Sequence, residues 1–196
     1  MKKFFPVLQY LNLPNLITTL GLIFGIAACF YLSEGSLKGI LICLFFSSLM
    51  DLLDGFIAGK FNQQTGFGKY ADTLVDFFIC CIIPILTIYF FVGNSLLIIS
   101  SLTFYCVCGL WRLAHFGVTT KKDNYFTGLP VPGAMLLVMI TVWAVLHYGF
   151  PIWLCVVIFY LIALLMISSI KLLKYGFWQK ALWVIWLGFL PVIILT

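Results

Sequence analysis

Charged side chains are scarce in this 196-residue sequence, at 9% of all residues against 64% hydrophobic ones, and the mean hydropathy is +1.17. A soluble domain normally carries roughly 25% charged residues, so the composition excludes a soluble protein. Runs of about ten residues with alternating hydrophobicity, typical of a transmembrane β-barrel, are also missing. What remains is a chain of apolar segments, each long enough for the roughly 20 residues with which a helix crosses a bilayer.

Cysteine and histidine do not occur at the spacing of a zinc site. The seven cysteines are scattered through apolar segments, and there are two histidines. Buried free cysteines behave as small hydrophobic residues. We therefore expect neither disulfides nor a zinc site, and we assign the cysteines to packing.

The apolar segments predict an all-α, polytopic membrane protein with six core transmembrane helices. The spans are predicted at 15–32, 37–58, 67–91, 94–116, 130–148 and 151–170. Residues 1–13 are basic and aromatic but too short to cross, which predicts an interfacial segment, and 177–196 predict an extra C-terminal helix. No connection is long enough for a soluble domain, so we expect a single membrane domain over 1–196.

Basic residues are distributed unevenly along this topology. With the N-terminus in the cytoplasm, ten of the eleven Lys and Arg residues fall near cytoplasmic ends of the spans, and only Lys38 falls outside. Positive charge in short loops favours the cytoplasmic side. We therefore predict a protein of the cell membrane whose acidic residues, described next, face the cytoplasm.

Four of the six acidic residues fall within DLLDGFIAGKFNQQTGFGKYADTLVD, from Asp51 to Asp76. Asp51 and Asp54 are three residues apart, and Asp72 and Asp76 are four apart, so each pair lies on one face of a helix. A hairpin folded at the glycine-containing connection would bring all four carboxylates together at the helix ends. Carboxylates this close repel one another in a low dielectric, and oxygen ligands suit hard ions, so the pattern predicts a site for Mg²⁺ or Mn²⁺.

These residues also carry a family resemblance. The pattern D-x2-D-G-x2-A followed by G-x3-D-x3-D resembles the signature of the CDP-alcohol phosphotransferases. The matching residues are Asp51, Asp54, Gly55, Ala58, Gly68, Asp72 and Asp76. The family pattern has arginine directly after the alanine, where this chain has Gly59, with Lys60 one position later.

Three further segments resemble the phosphatidylserine synthase branch of that family. They are PNLIT at 14–18, CGLWRLAHFGV at 108–118 and YFTGLPVPGAM at 125–135. In the second segment His115 stands where the branch usually has arginine, and Arg112 is retained. The resemblance thus extends over most of the chain.

The resemblance implies an integral membrane transferase that moves the phosphatidyl group of CDP-diacylglycerol to L-serine and releases CMP. It implies two Mg²⁺ or Mn²⁺ ions held by the four aspartates, with Asp76 also acting as general base on the acceptor hydroxyl. The substrate-binding residues so implied are Asn15, Thr18, Gly55, Ala58, Gly59, Lys60, Thr65, Gly68, Arg112 and His115. Expected partners are both substrates and membrane lipids but no nucleic acid, and a homodimer is left open.

Three other interpretations stay open from the sequence. A sister transferase for glycerol phosphate or inositol phosphate shares the aspartates but needs more cations, and two family arginines are missing, at Gly59 and His115. A cation transporter would place its acidic residues near mid-membrane between broken helices. A degenerate family member would bind without turnover. Asn15 and Thr18 also have a second interpretation, as caps of the first helix.

Overall fold

The structure is a computed structural model that describes residues 6–61, 63, 65–118, 125–173, 184, 186–189 and 191. Its elements are a 3₁₀ turn (Pro6–Tyr10), α1 (Leu13–Ser33), α2 (Leu37–Lys60), α3 (Gly66–Phe77), a π-helical turn (Phe78–Ile82), α4 (Ile83–Phe91), α5 (Leu96–Val118), β1 (Tyr125–Thr127), α6 (Val131–Tyr148), α7 (Ile152–Ile167) and β2 (Lys171–Leu173). α3, the π-helical turn and α4 form one continuous helix, called α3–α4 below.

Within the described residues, five helices are long and apolar enough to cross a membrane: α1, α2, α3–α4, α5 and α6. α7 is equally apolar but has 16 residues, which is about 24 Å at the helical rise. These helices confirm the all-α polytopic class, and the chain is an integral membrane protein. The predicted helix at 177–196 falls largely outside the described residues, of which Val184, 186–189 and Pro191 are helical.

The sixth predicted span ends early because the chain after Ile167 leaves the helix and pairs with an earlier segment. β2 runs antiparallel to β1, and the N–H of Gly128 donates to the carbonyl oxygen of Ile170 at 2.7 Å. Gly128 has φ +76°, and a Cβ there would lie 2.3 Å from the carbonyl oxygen of Met166, so glycine is required. The pairing joins the α5–α6 connection to the end of α7.

α1 and α2 form the hairpin that carries the first two aspartates. The side chain of Asn12 caps α1 by accepting the N–H of Asn15 at 3.0 Å. Across the helix interface, the buried Ser47 hydroxyl donates to the carbonyl oxygen of Gly21 at 2.9 Å, a close approach that glycine permits. This contact lies one turn before Asp51, so it fixes α2 against α1 beside the aspartates.

The π-helical turn begins two residues after Asp76. Pro84 has no N–H, so the carbonyl of Cys80 four residues earlier lacks its usual helical donor. The buried hydroxyl of Tyr105 in α5 donates to that carbonyl at 2.8 Å. α5 thus stabilises the irregular turn, which lies next to the aspartates. π-helical turns occur frequently at functional sites.

The helices on the two sides of the aspartates differ in how exposed they are. Among the described membrane-spanning helices, α6 is the most buried and α1 the most exposed. α1 packs along α2 and against α3, whereas α6 packs against α7, α4, α2 and the π-helical turn. The facing surfaces of α2 and α3–α4 therefore lie between α1 on one side and α6 on the other.

Candidate metal centre and active site

A cavity lies where α1, α2, α3–α4 and the first turn of α6 meet. Its described lining residues are Thr18, Gly21, Ser47, Ser48, Asp51, Asp54, Asp72, Val75, Asp76, Ile79, Cys80 and Pro132. All four aspartates of the stretch are among them, and no Lys, Arg or His is. The hairpin thus gathers four carboxylates in one cavity without a lining cation.

Three of the carboxylates form the tightest group. One oxygen each from Asp51, Asp72 and Asp76 lies within 4.8 Å of the other two, and all three residues are half-buried. Three ionised carboxylates at this separation destabilise one another unless a cation lies between them. Oxygen donors grouped in this way suit a hard divalent ion, so these residues could hold a metal.

Asp54 is held by a different partner. Its carboxylate accepts a hydrogen bond from the hydroxyl of Thr18, and only 6% of the residue is exposed. The same hydroxyl lies 3.2 Å from the carbonyl oxygen of Pro14 in the first turn of α1. α1 therefore orients Asp54, while the tight group is built from α2 and α3 alone.

The aspartates lie within the helices, away from their last residues. Asp51 is nine residues before Lys60, the last residue of α2, which is about 14 Å along the axis. Asp76 is ten residues after Gly66, the first residue of α3. The predicted spans 37–58 and 67–91 agree with these bounds to within two residues, so both helices continue past the carboxylates as those spans implied. The site is consequently a cavity between helices, not a patch on the membrane surface.

The starts of α1 and α3 meet beside this cavity. The Asn15 side chain donates through Nδ2 to the carbonyl oxygen of Tyr10 at 2.8 Å, and a Cβ on Gly68 would lie 2.6 Å from Asn15 Oδ1. Thr65 caps α3 by accepting the N–H of Gly68 at 3.0 Å. The lack of a side chain at Gly68 thus makes room for the Asn15 side chain, and a nucleotide contact of Gly68 stays a prediction.

Asn12, and not Asn15 or Thr18, is the residue that caps α1. The cap interpretation of Asn15 and Thr18 is therefore wrong: Asn15 fastens the preceding 3₁₀ turn, and Thr18 binds Asp54. Contacts of these residues with a substrate stay predictions, as do those of Thr65 and Gly68.

An open strip runs along the exposed side of α2 beyond the aspartates. No atom of the described residues lies within 4 Å of a Cβ built on Gly55 or Gly59, and both residues are exposed, with Ala58 half-buried between them. Lys60 is exposed at the end of the strip, its Nζ 5.9 Å from the ring centroids of Phe56 and Phe61. The strip leaves room for a large ligand next to Asp54.

Arg112 and His115 lie in the last turns of α5. Arg112 is buried, and its Nε has no hydrogen-bond partner in the described part of the chain. His115 is exposed on the last turn. Neither residue lines the aspartate cavity, so the structure does not bring these two predicted substrate contacts onto the carboxylates.

Seven cavity residues were missed from the sequence, and they include Ser47, Ser48 and Pro132. Ser47 and Ser48 precede Asp51 by one turn, so helical spacing could have identified them as neighbours of the aspartates. Pro132 lies more than fifty residues beyond Asp76, and no local pattern indicates that the first turn of α6 closes the cavity.

Known proteins match the chain over most of its length. A family model described as CDP-alcohol phosphatidyltransferase matches residues 11–187. The CDP-diacylglycerol--serine O-phosphatidyltransferase of Methanocaldococcus jannaschii is 32% identical over 171 residues, 87% of this chain and 78% of that protein. The protein of the same name from Helicobacter pylori is 31% identical over 197 residues, 93% of this chain and 79% of that protein.

A shorter match carries a different name. The CDP-diacylglycerol--glycerol-3-phosphate 3-phosphatidyltransferase of Aquifex aeolicus is 39% identical over 66 residues, 34% of this chain and 37% of that protein. The family model and the two longer relatives cover both the aspartates and the helices that gather them. The family resemblance of the motifs is thereby confirmed, and the chain belongs to the CDP-alcohol phosphatidyltransferase family.

Proposed function

We propose that this protein transfers the phosphatidyl group of CDP-diacylglycerol to the hydroxyl of L-serine, forming phosphatidylserine and releasing CMP. The observation that carries the proposal is the group of Asp51, Asp72 and Asp76 in a cavity between membrane-spanning helices. The two longer relatives are both named for transfer to serine. The site lies within a membrane protein, where a lipid-linked donor is at hand.

The carboxylates fit a divalent-metal centre, because three oxygens within 4.8 Å of one another offer the ligands that hard cations prefer. We assign Asp51, Asp54, Asp72 and Asp76 as the residues that hold two ions, Mg²⁺ or Mn²⁺. Bound metal supplies positive charge that stabilises the oxygens of the reacting diphosphate. Asp54 remains in this set because it lines the same cavity, with Thr18 fixing its orientation.

Asp76 is our candidate for the general base. The serine hydroxyl gives its proton to this carboxylate while its oxygen forms a bond to the phosphorus of the phosphatidyl group. The bond from that phosphorus to the bridging oxygen breaks, and CMP leaves with the electron pair. A positioned base contributes typically 10²- to 10⁴-fold to such a step. Of the two α3 aspartates, Asp76 lies further from the start of the helix, two residues before the π-helical turn that Tyr105 stabilises.

The open strip of Gly55, Ala58 and Gly59 is where we place the cytidine diphosphate. A diphosphate on this strip has Lys60 at one end and the aspartates at the other. We assign Arg112 and His115 to phosphate contacts from α5. Asn15, Thr18, Thr65 and Gly68 frame the same region from the starts of α1 and α3.

The membrane orientation is also a proposal. Lys60, Lys69 and Arg112 lie toward the helix ends next to the cavity, and positive charge favours the cytoplasmic side. We therefore place the chain in the cell membrane as one membrane domain over 1–196, with the cavity open to cytosolic serine.

Glycerol phosphate is the second candidate acceptor, because the Aquifex aeolicus relative is named for it. The test is to supply the purified protein with CDP-diacylglycerol and labelled serine, glycerol phosphate or inositol phosphate in parallel, with Mg²⁺ or Mn²⁺. We expect labelled lipid from serine, with one CMP released for each lipid formed. Label from glycerol phosphate alone would establish the sister reaction. If no CMP is released with any of the three acceptors, the chain is a family member without turnover.

A further inference from the structure

Ser48 is a polar residue of the cavity that the proposed mechanism does not use. Only 7% of it is exposed, and its hydroxyl oxygen has no hydrogen-bond partner in the described part of the chain. A buried hydroxyl without a partner is destabilising, because it has lost its hydrogen bonds to water. The neighbouring Ser47 lines the same cavity but already donates to Gly21. The Ser48 hydroxyl is therefore available to a ligand in a way that the Ser47 hydroxyl is not.

The first turn of α6 lies on the same cavity through Pro132. The capping residue of this helix, Pro130, makes no side-chain hydrogen bond to it. The first N–H groups of any helix lack an intrahelical partner, and the helix dipole adds partial positive charge there. Of the first three helical residues, Val131 and Gly133 have an N–H and Pro132 has none. The Ser48 hydroxyl and the start of α6, the latter through Pro132, thus line the same cavity.

The Ser48 hydroxyl can donate to an anion, and the partial positive charge at the start of α6 favours one. Among the described lining residues there is no Lys, Arg or His, so besides bound metal the Ser48 hydroxyl and the start of α6 are what this lining offers to a negatively charged group. Two anions enter the proposed reaction, the diphosphate of the donor lipid and the carboxylate of serine. Ser48 precedes Asp51 by three residues and therefore lies about 4.5 Å further from the open strip along α2. The open strip has the space for the diphosphate, so the inner position suits the small acceptor.

We propose that Ser48 and the first turn of α6 bind the carboxylate of the acceptor amino acid. This rests on the proposed function, and it gives the chain a determinant of acceptor choice besides the aspartates. The acceptor is held with its carboxylate toward α6 and its hydroxyl toward Asp76. An acceptor with a neutral amide in place of the carboxylate offers the Ser48 hydroxyl only a weaker, uncharged acceptor.

The test compares Ser48→Ala with wild type, using L-serine and L-serinamide, in which a neutral amide replaces the carboxylate. A hydrogen bond to a charged group corresponds to a change of about tenfold or more. We expect Ser48→Ala to raise the KM for L-serine by about tenfold or more, with kcat within about threefold. The preference for serine over serinamide should fall with it, and the KM for CDP-diacylglycerol should stay unchanged. Ser47→Ala, the matched control, should leave the acceptor preference unchanged.

Each contrary result has a distinct meaning. A higher KM for CDP-diacylglycerol with an unchanged serine KM would overturn the proposal and assign Ser48 to the donor diphosphate. A loss of kcat that is equal for both acceptors would also overturn it, because Ser48 would then act on the aspartates. If wild type labels no lipid from serine at all, the proposed function fails together with this inference. If wild type uses serine and Ser48→Ala behaves identically, this inference alone fails.

Discussion

Asp76→Asn is expected to lower phosphatidyl transfer by about 10²- to 10⁴-fold, because the amide cannot accept the proton of the acceptor hydroxyl. Asp51→Asn and Asp72→Asn should be as severe, since each removes one oxygen and one charge from a group whose members lie within 4.8 Å. Asp54→Asn should also abolish transfer. The measurement is the rate of CMP release at saturating CDP-diacylglycerol and serine.

The matched control is Glu34→Gln. Glu34 is an exposed acidic residue at the opposite end of the α1–α2 hairpin, so the same chemical change there should leave the rate unchanged. All variants should insert in the membrane as wild type does, because the helices keep their apolar surfaces. If any three of the four asparagine variants retained near wild-type turnover, the metal-centre account would be wrong.

Gly55→Leu is expected to raise the KM for CDP-diacylglycerol by about tenfold or more. A leucine there displaces the donor diphosphate, and losing one of its charged hydrogen bonds has an effect of that size. Gly55 is exposed, and within the described part of the chain no atom lies within 4 Å of a Cβ built there. A leucine side chain therefore extends into the strip that we assign to the donor. Glycine is also the poorer helix former, so the substitution should not weaken α2.

Gly66→Leu is the matched control, since Gly66 is also exposed and equally free of neighbours within 4 Å but lies at the start of α3. Both variants should insert and purify alike, and only Gly55→Leu should lose donor binding. Unchanged donor binding together with poor insertion of Gly55→Leu would show instead that Gly55 packs against another helix.

The gathering of the carboxylates was predictable because local spacing and one hairpin determine it. Asp51 with Asp54 and Asp72 with Asp76 share helix faces, and the short connection between α2 and α3 brings those faces together. The membrane class was equally predictable, since composition and segment length decide it. The bond between Thr18 and Asp54 joins residues 36 positions apart, and no periodicity indicates such a pair.

The differences from the sequence prediction arise from long-range contacts. α7 ends at Ile167 because β2 pairs with β1, more than forty residues earlier in the chain. Gly68 fits the family motif, and a Cβ there would lie 2.6 Å from Asn15 Oδ1 of another helix, a contact that no local pattern indicates. Arg112 lies in the helix where it was expected, yet its burial outside the cavity lining depends on how α5 packs. Tertiary packing alone decides each of these.

Titration of the purified protein with Mn²⁺, followed by electron paramagnetic resonance, tests the metal centre most directly. Wild type and Glu34→Gln should each bind two ions per chain, as expected for a centre that clamps both reacting oxygens. Asp51→Asn, Asp72→Asn and Asp76→Asn should each lose at least one ion. Wild type that binds no Mn²⁺, or aspartate variants that titrate as wild type does, would contradict the assignment of this cavity as a metal-dependent transferase site.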